Sequence, residues 1–411
     1  MNMQSMPRLV PVMSERRVSL IGGLMVAIGP VSMALFTPAM PEIVCAFGTT
    51  EAAVKMTLSL YFAGFAFAQL VCGPLSDGFG RRPVTIGFMA IYLVGSVIAL
   101  LAPTIEMLIA ARFLQGVGAA AGVAISRALV RDLFTHERSA RIMSLIGIIL
   151  AVGPAFAPTL GGLTMEFFGW HAIFLLMVLM GMAIVLVTLF AMRETVLRDL
   201  SRIRPAALVR TYGKLVATPY FMLACLVIAG TSGALYAQAT VLPFILMDQV
   251  GLSPSQFGIG MLMQTGSFFC GSLAGRFLID RYGAARLVLP GLFCVGLGSV
   301  GTAILLGFYE PTFLSVMVPV GLYAFGIAFV MPAMMTAAMA PFPYSAGAAS
   351  ALMGFMQMGA GLLGGSVAAL IGAPDLAMAT IIPVMGLTAI VSWIIWRSLP
   401  EPSVLVIDRH G

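Results

Sequence analysis

Charge is the scarcest commodity in this chain. Of its 411 residues only 9% are Asp, Glu, Lys or Arg, against 60% hydrophobic, and the mean hydropathy is +1.04. A soluble domain carries roughly 25% charged residues, so an ordinary globular protein is excluded. Histidine is nearly absent: His136, His171 and His410 stand far apart, without metal-ligand spacing. No Gly-x4-Gly-Lys-Ser/Thr loop is present to cradle phosphates, which removes ATP as the direct energy source. Without a catalytic constellation or a metal site, neither enzymatic activity nor a cofactor is expected. The five cysteines (Cys45, Cys72, Cys225, Cys270, Cys294) are isolated in or beside apolar runs and read as small core residues. Alternating segments of about ten residues, the mark of a membrane barrel, are missing too.

What the chain does have is apolar runs of about 20 residues, each able to cross a hydrocarbon core of roughly 30 Å. They predict an all-α polytopic membrane protein with twelve transmembrane helices. The spans fall near 18–40, 52–74, 84–102, 106–130, 140–163 and 170–191, then 219–246, 254–278, 286–307, 312–335, 346–371 and 376–398. The first run is too long for a signal-peptide core and lacks a small-x-small cleavage site, so it is expected to stay. The layout is a tail (1–17), a six-helix bundle (18–191), a central loop (192–218), a second six-helix bundle (219–398) and a tail (399–411). Segment 198–214 of the central loop is basic with interleaved Leu, Ile and Val. It fits either an amphipathic helix along the leaflet or a plain connector.

The net charge of +6 does not point to nucleic acid, because no soluble domain offers a basic face. Its distribution is an orientation signal. One side collects Arg8, Arg16, Arg17, Arg81, Arg82, Arg131, Arg138, Arg141, the basic central loop, Arg276, Arg281, Arg286, Arg397 and Arg409. The other has only Lys55 among Glu42, Glu51, Glu106, Glu166, Asp248, Glu310 and Asp375. The positive-inside rule then places both termini in the cytoplasm.

Between the second and third spans lies Gly73-Pro74-Leu75-Ser76-Asp77-Gly78-Phe79-Gly80-Arg81-Arg82-Pro83, read as a short, polar, basic hairpin. A weaker copy at 271–283 carries Asp280 before Arg281-Tyr282-Gly283, which implies two pseudo-symmetric halves with a site between them. In the fourth span Arg112 lies well inside the membrane, and Gln115 follows one turn on along the same face. Arg112 either serves transport or hydrogen-bonds a broken neighbouring helix. The fifth span holds Gly153, Pro154, Pro158, Gly161 and Gly162, which bend it and allow close packing. Tyr61, Gln69, Tyr236, Gln238, Gln264, Tyr323 and Gln357 are the sparse polar groups within spans. They must face the interior, as interhelical hydrogen bonds or as ligand contacts. The 30 methionines suit either a cavity taking ligands of varied shape or core gap filling.

Together these motifs resemble the major facilitator superfamily. Residues 73–82 look like its loop 2–3 signature, Arg112-x-x-Gln115-Gly116-x-Gly118 like its helix 4 motif, and Gly153-Pro154 with Gly161-Gly162 like the helix 5 motif of antiporters. Thr37-Pro38-Ala39-Met40-Pro41, the stretches at 127–134 and 169–174, and 347–354 in helix 11 are similar to the bicyclomycin and chloramphenicol resistance subfamily, whose members export drugs in exchange for protons. The resemblance implies that Arg112 couples protons, and that Gly73, Asp77, Gly80, Arg81, Arg82, Asp132 and Asp280 form the inner gate. Two departures stand out: Gly78 where an arginine is usual, and Ala34 where family members often carry an Asp. No other acid lies deep in a span.

The expectation is therefore a monomeric secondary transporter in the bacterial inner membrane, driven by the proton gradient. It would export a small amphipathic compound held mid-membrane by Tyr61, Gln115, Tyr236, Gln238, Gln264 and Gln357. With Arg112 as the only deep charge, neutral or anionic compounds suit it best. The alternative is a metabolite symporter or facilitator; a membrane enzyme or sensor has no sequence support.

Overall fold

The computed structural model describes residues 13–134, 136–196, 198–200, 203, 205–400 and 402. Arg8, Arg202, Arg204, Arg409 and His410 lie outside the described residues. The described chain is built of helices: α1 (Glu15–Phe36), α2 (Met40–Phe47), α3 (Glu51–Phe79), α4 (Arg81–Leu100), α5 (Ile105–Leu133), α6 (His136–Phe168), α7 (Trp170–Ala191), α8 (Pro205–Val216), α9 (Pro219–Gln238), α10 (Pro254–Tyr282), α11 (Ala284–Phe308), α12 (Phe313–Met339), α13 (Ala346–Ile371) and α14 (Pro374–Trp396). Twelve of these are 20 residues or longer. Eleven are apolar enough to count as membrane spans outright; α10, the twelfth, carries Gln256, Gln264, Ser267 and Ser272 along its length.

Helix starts follow local chemistry. Thr50, Thr104, Ser253 and Thr312 each accept a backbone N–H from the first turn that follows, and Ser253 and Thr312 form complete capping boxes. These four caps open α3, α5, α10 and α12 on the acidic face. The arginine-rich face is built differently. The expected hairpin at 73–83 is not a loop: α3 continues through it to Phe79, and α10 likewise runs to Tyr282. Hydropathy falls at these polar ends, but helical hydrogen bonding does not. A single glycine turns each corner, Gly80 (φ 106°, ψ 152°) and Gly283 (φ 79°, ψ 150°), in a backbone region closed to residues with a Cβ. The two corners are the same device, used once per half.

Other boundaries moved for similar reasons. The first span breaks at the 3-10 turn Thr37–Ala39, beside Pro38 and Pro41, and resumes as α2. The seventh ends at Gln238, followed by turns and a π-helical turn, Phe244–Gln249.

The packing is repeated in the two halves. In the first, α1 packs on α5, α6 and α7, α3 on α5, and α4 on α5 and α7. In the second, α9 packs on α12, α13 and α14, α10 on α12, and α11 on α12 and α14. The halves meet along α3 against α13 and α6 against α10. Small residues set the spacing within a half, because between helices in lipid van der Waals contact carries the association. A Cβ on Gly122 of α5 would overlap the Met25 carbonyl of α1, and one on Gly116 would overlap the Tyr61 carbonyl of α3. The central loop does not stay clear of the bundle. Its helix α8 packs on α9 and α13, buries Leu215, and donates from the Tyr212 hydroxyl to the Leu70 carbonyl of α3 at 2.7 Å.

Gly122→Val is therefore expected to destabilise the protein by about 2 kcal/mol, the usual cost of overpacking. Gly147→Val serves as the comparison, because a Cβ at that position would have nothing within 4 Å. Thermal unfolding in detergent checks this, with a lower transition temperature for the first variant only.

Candidate functional site

Arg112 is fully buried, 0% exposed, inside the first half. Its guanidinium lies between the rings of Phe36 (4.4 Å) and Tyr61 (4.5 Å), and its Nη1 donates to Gln115 Oε1 at 2.7 Å. Gln115 Nε2 in turn donates to Ser96 Oγ at 2.8 Å and approaches Met177 Sδ at 3.5 Å. Around the rings, Tyr61 donates to the Gly29 carbonyl at 2.8 Å, and the Ser32 and Tyr92 hydroxyls share a hydrogen bond of 2.5 Å. Arg112 Nε and Nη2 have no hydrogen-bond partner among the described residues. Two aromatic faces offset part of the desolvation cost that a carboxylate would otherwise meet. Arg112, Gln115 and Tyr61 thus come together, in the packing of α1, α3, α4 and α7. Among the described residues no Asp or Glu is buried, and Ala34 takes its place in the apolar packing of α1.

The acidic face is closed by contacts that sequence reasoning missed. Lys55 is also 0% exposed; its Nζ donates to Glu51 Oε2 at 2.9 Å and, across the seam, to the Gly372 carbonyl at 3.0 Å, with the Phe244 ring 5.0 Å away. Gly372 ends α13, so the cation meets the negative end of a helix of the other half. At the opposite corner Glu166 Oε2 accepts from the Ser255 N–H (3.0 Å) and the Ser253 hydroxyl (3.2 Å), at the positive end of α10. Between them Thr159 donates to the Gly258 carbonyl at 2.9 Å. The one signal available in the sequence was that Lys55 is the sole cation on its face.

Of the glycines of α6, one faces this seam and two face α1 within the first half. Gly162 meets the Pro254 backbone of α10, Gly161 meets the Leu35 carbonyl of α1, and Gly153 sits against Val31 of α1. Pro154 and Pro158 are accommodated inside the unbroken α6.

On the arginine-rich face Arg81, 3% exposed, gathers its expected partners. It pairs with Asp77 Oδ1 at 2.5 Å and Asp132 Oδ2 at 2.9 Å, and donates to Ser76 Oγ at 2.6 Å. Arg82 donates from Nη2 to the Leu189 carbonyl at 2.7 Å. All these groups lie within the first half. A Cβ on Gly73 would meet nothing within 4 Å, and Asp280 is exposed without an ion pair among the described residues. The hydrogen bond that crosses the halves here is Arg127 Nη1 to Ser350 Oγ, 3.0 Å.

The remaining candidates lie around the second half. Gln238 donates to Gln264 at 2.8 Å, Gln357 donates to Ser232 at 2.5 Å, and the half-buried Tyr236 ring packs 5.5 Å from Phe62 of α3. Gln264 and Gln357 in mid-helix and Tyr236 near the end of α9 keep partial exposure, whereas Tyr61, Gln115 and Gln238 are buried.

Lys55→Ala removes a charge-assisted tie across the seam, a loss of about 1.5 kcal/mol or roughly tenfold in the opening equilibrium. A cysteine at Thr159 is then expected to react about ten times faster with an impermeant maleimide. An unchanged rate would show that Lys55 does not hold this face shut.

Residues 22–365 match the family described as the Major Facilitator Superfamily. An uncharacterized transporter of that type from Bacillus subtilis, YdgK, is 30% identical over 394 residues, covering 93% of this chain and 95% of that protein. Multidrug resistance protein D of Escherichia coli is 28% identical, covering 90% and 93%. Multidrug resistance protein MdtL of Salmonella paratyphi B is 29% identical, covering 84% and 85%. Among solved structures, an auto-inhibited peptide transporter of the POT family superposes with a TM-score of 0.71 at 15% identity, covering 96% and 98%, which speaks for the fold alone. With its duplicated six-helix halves and this match across most of its length, the chain belongs to the Major Facilitator Superfamily of transporters.

Proposed function

We propose that this protein exports small amphipathic drugs, of phenicol or bicyclomycin type, from the bacterial cytoplasm across the inner membrane in exchange for protons. The observation that carries the reading is the seam. Its two main lines of contact, α3 with α13 and α6 with α10, join halves that pack mostly within themselves. On the acidic face a few polar ties join them beside apolar contacts at Ala239 and Phe244, and the polar ties suit parts that separate and re-form. Multidrug-resistance proteins at 28–29% identity over most of the chain support drugs in general as the cargo.

In this reading the arginine-rich face is cytoplasmic, by the positive-inside rule, and both termini lie there. The halves rock as a monomer about a mid-membrane site lined by Tyr236, Gln238, Gln264 and Gln357, with Tyr61 and Gln115 behind it. The Asp77–Arg81–Asp132 cluster latches the cytoplasmic side, with Asp280 at the equivalent corner of the second half. Arg112 supplies the coupling charge: the aromatic sandwich holds it where a change of local charge is strongly felt. No cofactor takes part; the proton gradient is the energy source. The lack of a buried carboxylate among the described residues favours a second reading, a metabolite symporter or facilitator.

In an efflux-deficient host, expression is expected to raise resistance to at least one phenicol- or bicyclomycin-like compound, and a protonophore should abolish the effect. Arg112→Ala should lower proton-driven efflux at least tenfold. Unchanged susceptibility to every compound, with counterflow of a labelled metabolite in the absence of a gradient, would favour the second reading.

A further inference from the structure

The corner at Gly80 leaves α4 starting without a cap of its own: no side chain near its first residue accepts a first-turn N–H. The cap comes from the central loop, more than a hundred residues away in sequence. Glu194 Oε1 accepts from the Arg81 N–H at 2.8 Å and Oε2 from the Arg82 N–H at 3.0 Å. The same carboxylate accepts from the N–H groups of Thr195 (2.9 Å) and Val196 (3.1 Å). Four backbone donors therefore converge on one anion at the positive end of a helix, a strong arrangement for a surface carboxylate. The loop also touches the other side of the gate, through Thr195 Oγ1 at 3.4 Å from Asp132 Oδ2.

Four residues on, the loop sits on the end of α3. The Asp199 N–H donates to the Gly78 carbonyl at 2.9 Å, Arg198 lies 5.6 Å from the Phe79 ring, and Ile203 fills the space where a Cβ of residue 78 would stand. A side chain at 78 and a seated loop exclude one another. From there the chain continues into α8, which packs on α9 and α13 of the second half. The equivalent corner at Gly283 has the same backbone and likewise no side-chain cap at the start of α11.

We propose that Glu194 is a positioning residue of the gate, and that residues 194–196, 198–200 and 203 act as a strap which sets Arg81 on Asp77 and Asp132. Because the strap leads directly into α8, a shift of the second half draws on the gate in the first. The gating motif and the central loop then engage and release together, in the first half only. Glycine at 78 is the notch that admits the strap. This rests on the transport reading only for its kinetic consequence; the docking itself does not.

The test uses the full-length protein in detergent and in proteoliposomes. Glu194→Gln keeps the shape but removes the charge, Ile203→Ala unseats the strap without touching the gate, and Glu194→Asp is the conservative comparison. Backbone hydrogen exchange is followed over 81–84, 129–134 and 198–200. Glu194→Gln and Ile203→Ala are each expected to lower protection at least tenfold in all three segments together, and Glu194→Asp to restore most of it in 81–84. For a compound that the wild type exports, turnover should fall several-fold with KM within twofold. Loss confined to 81–84 would reduce Glu194 to a local helix cap, and unchanged exchange would remove the strap altogether; either overturns the proposal. Altered exchange with unaltered turnover would overturn its link to the gate. If the wild type exports nothing, the drug-export reading fails while the exchange result still decides the strap.

Discussion

Three charged side chains are buried among the described residues, Lys55, Arg81 and Arg112, and all three are cations. A charge within a membrane bundle needs partners, and no buried carboxylate is available among the described residues to supply them. Each cation finds its partners in a different way, and Arg112 Nε and Nη2 are left without a hydrogen bond among the described residues. Arg112 uses two aromatic faces and an amide, Lys55 a helix-terminal carbonyl and a half-exposed glutamate, and Arg81 two carboxylates at the bundle rim. These solutions mark the three places where the fold is most constrained: the core of the first half, the acidic end of the seam, and the arginine-rich corner.

The duplicated architecture makes the asymmetries informative. The corners at Gly80 and Gly283 share a backbone, and the helix pairings of one half recur in the other. The charge does not recur. Arg81 sits in a network, whereas Asp280 stands exposed at the equivalent corner, and the second half has no buried ionised residue among those described. By the repeated packing of Gly95 on α5 and Gly298 on α12, Val320 stands where the first half buries Arg112, and Tyr323, whose hydroxyl donates to the Gly230 carbonyl at 2.7 Å, stands where it buries Gln115. Buried charge is concentrated in one half, and the other is joined to it through apolar packing and the central loop.

The glycines show how one residue type serves different ends. At Gly80 and Gly283 the backbone conformation demands it; at Gly122 and Gly116 a neighbouring helix does; at Gly78 the space belongs to Ile203. Only the third use departs from the motif this corner resembles, and no local pattern could have predicted it, because its cause lies 125 residues further along.

Twelve spans, two halves, the basic and acidic faces and the positions of the motifs were all legible in the chain, because hydropathy and charge are local properties read residue by residue. The convergence of Arg81 with Asp77, four residues away across the Gly80 corner, belongs to the same class. Helix ends were less legible, since polar residues at 73–79 lower hydropathy without breaking hydrogen bonds. What tertiary structure alone decided is which charges and carbonyls meet. Lys55 and Gly372 are 317 residues apart, Arg81 and Glu194 are 113, and Arg127 and Ser350 are 223. Periodicity carries no information over such distances. The partners are chosen by the docking of whole helices, and a buried cation accepts whichever acceptor that docking delivers.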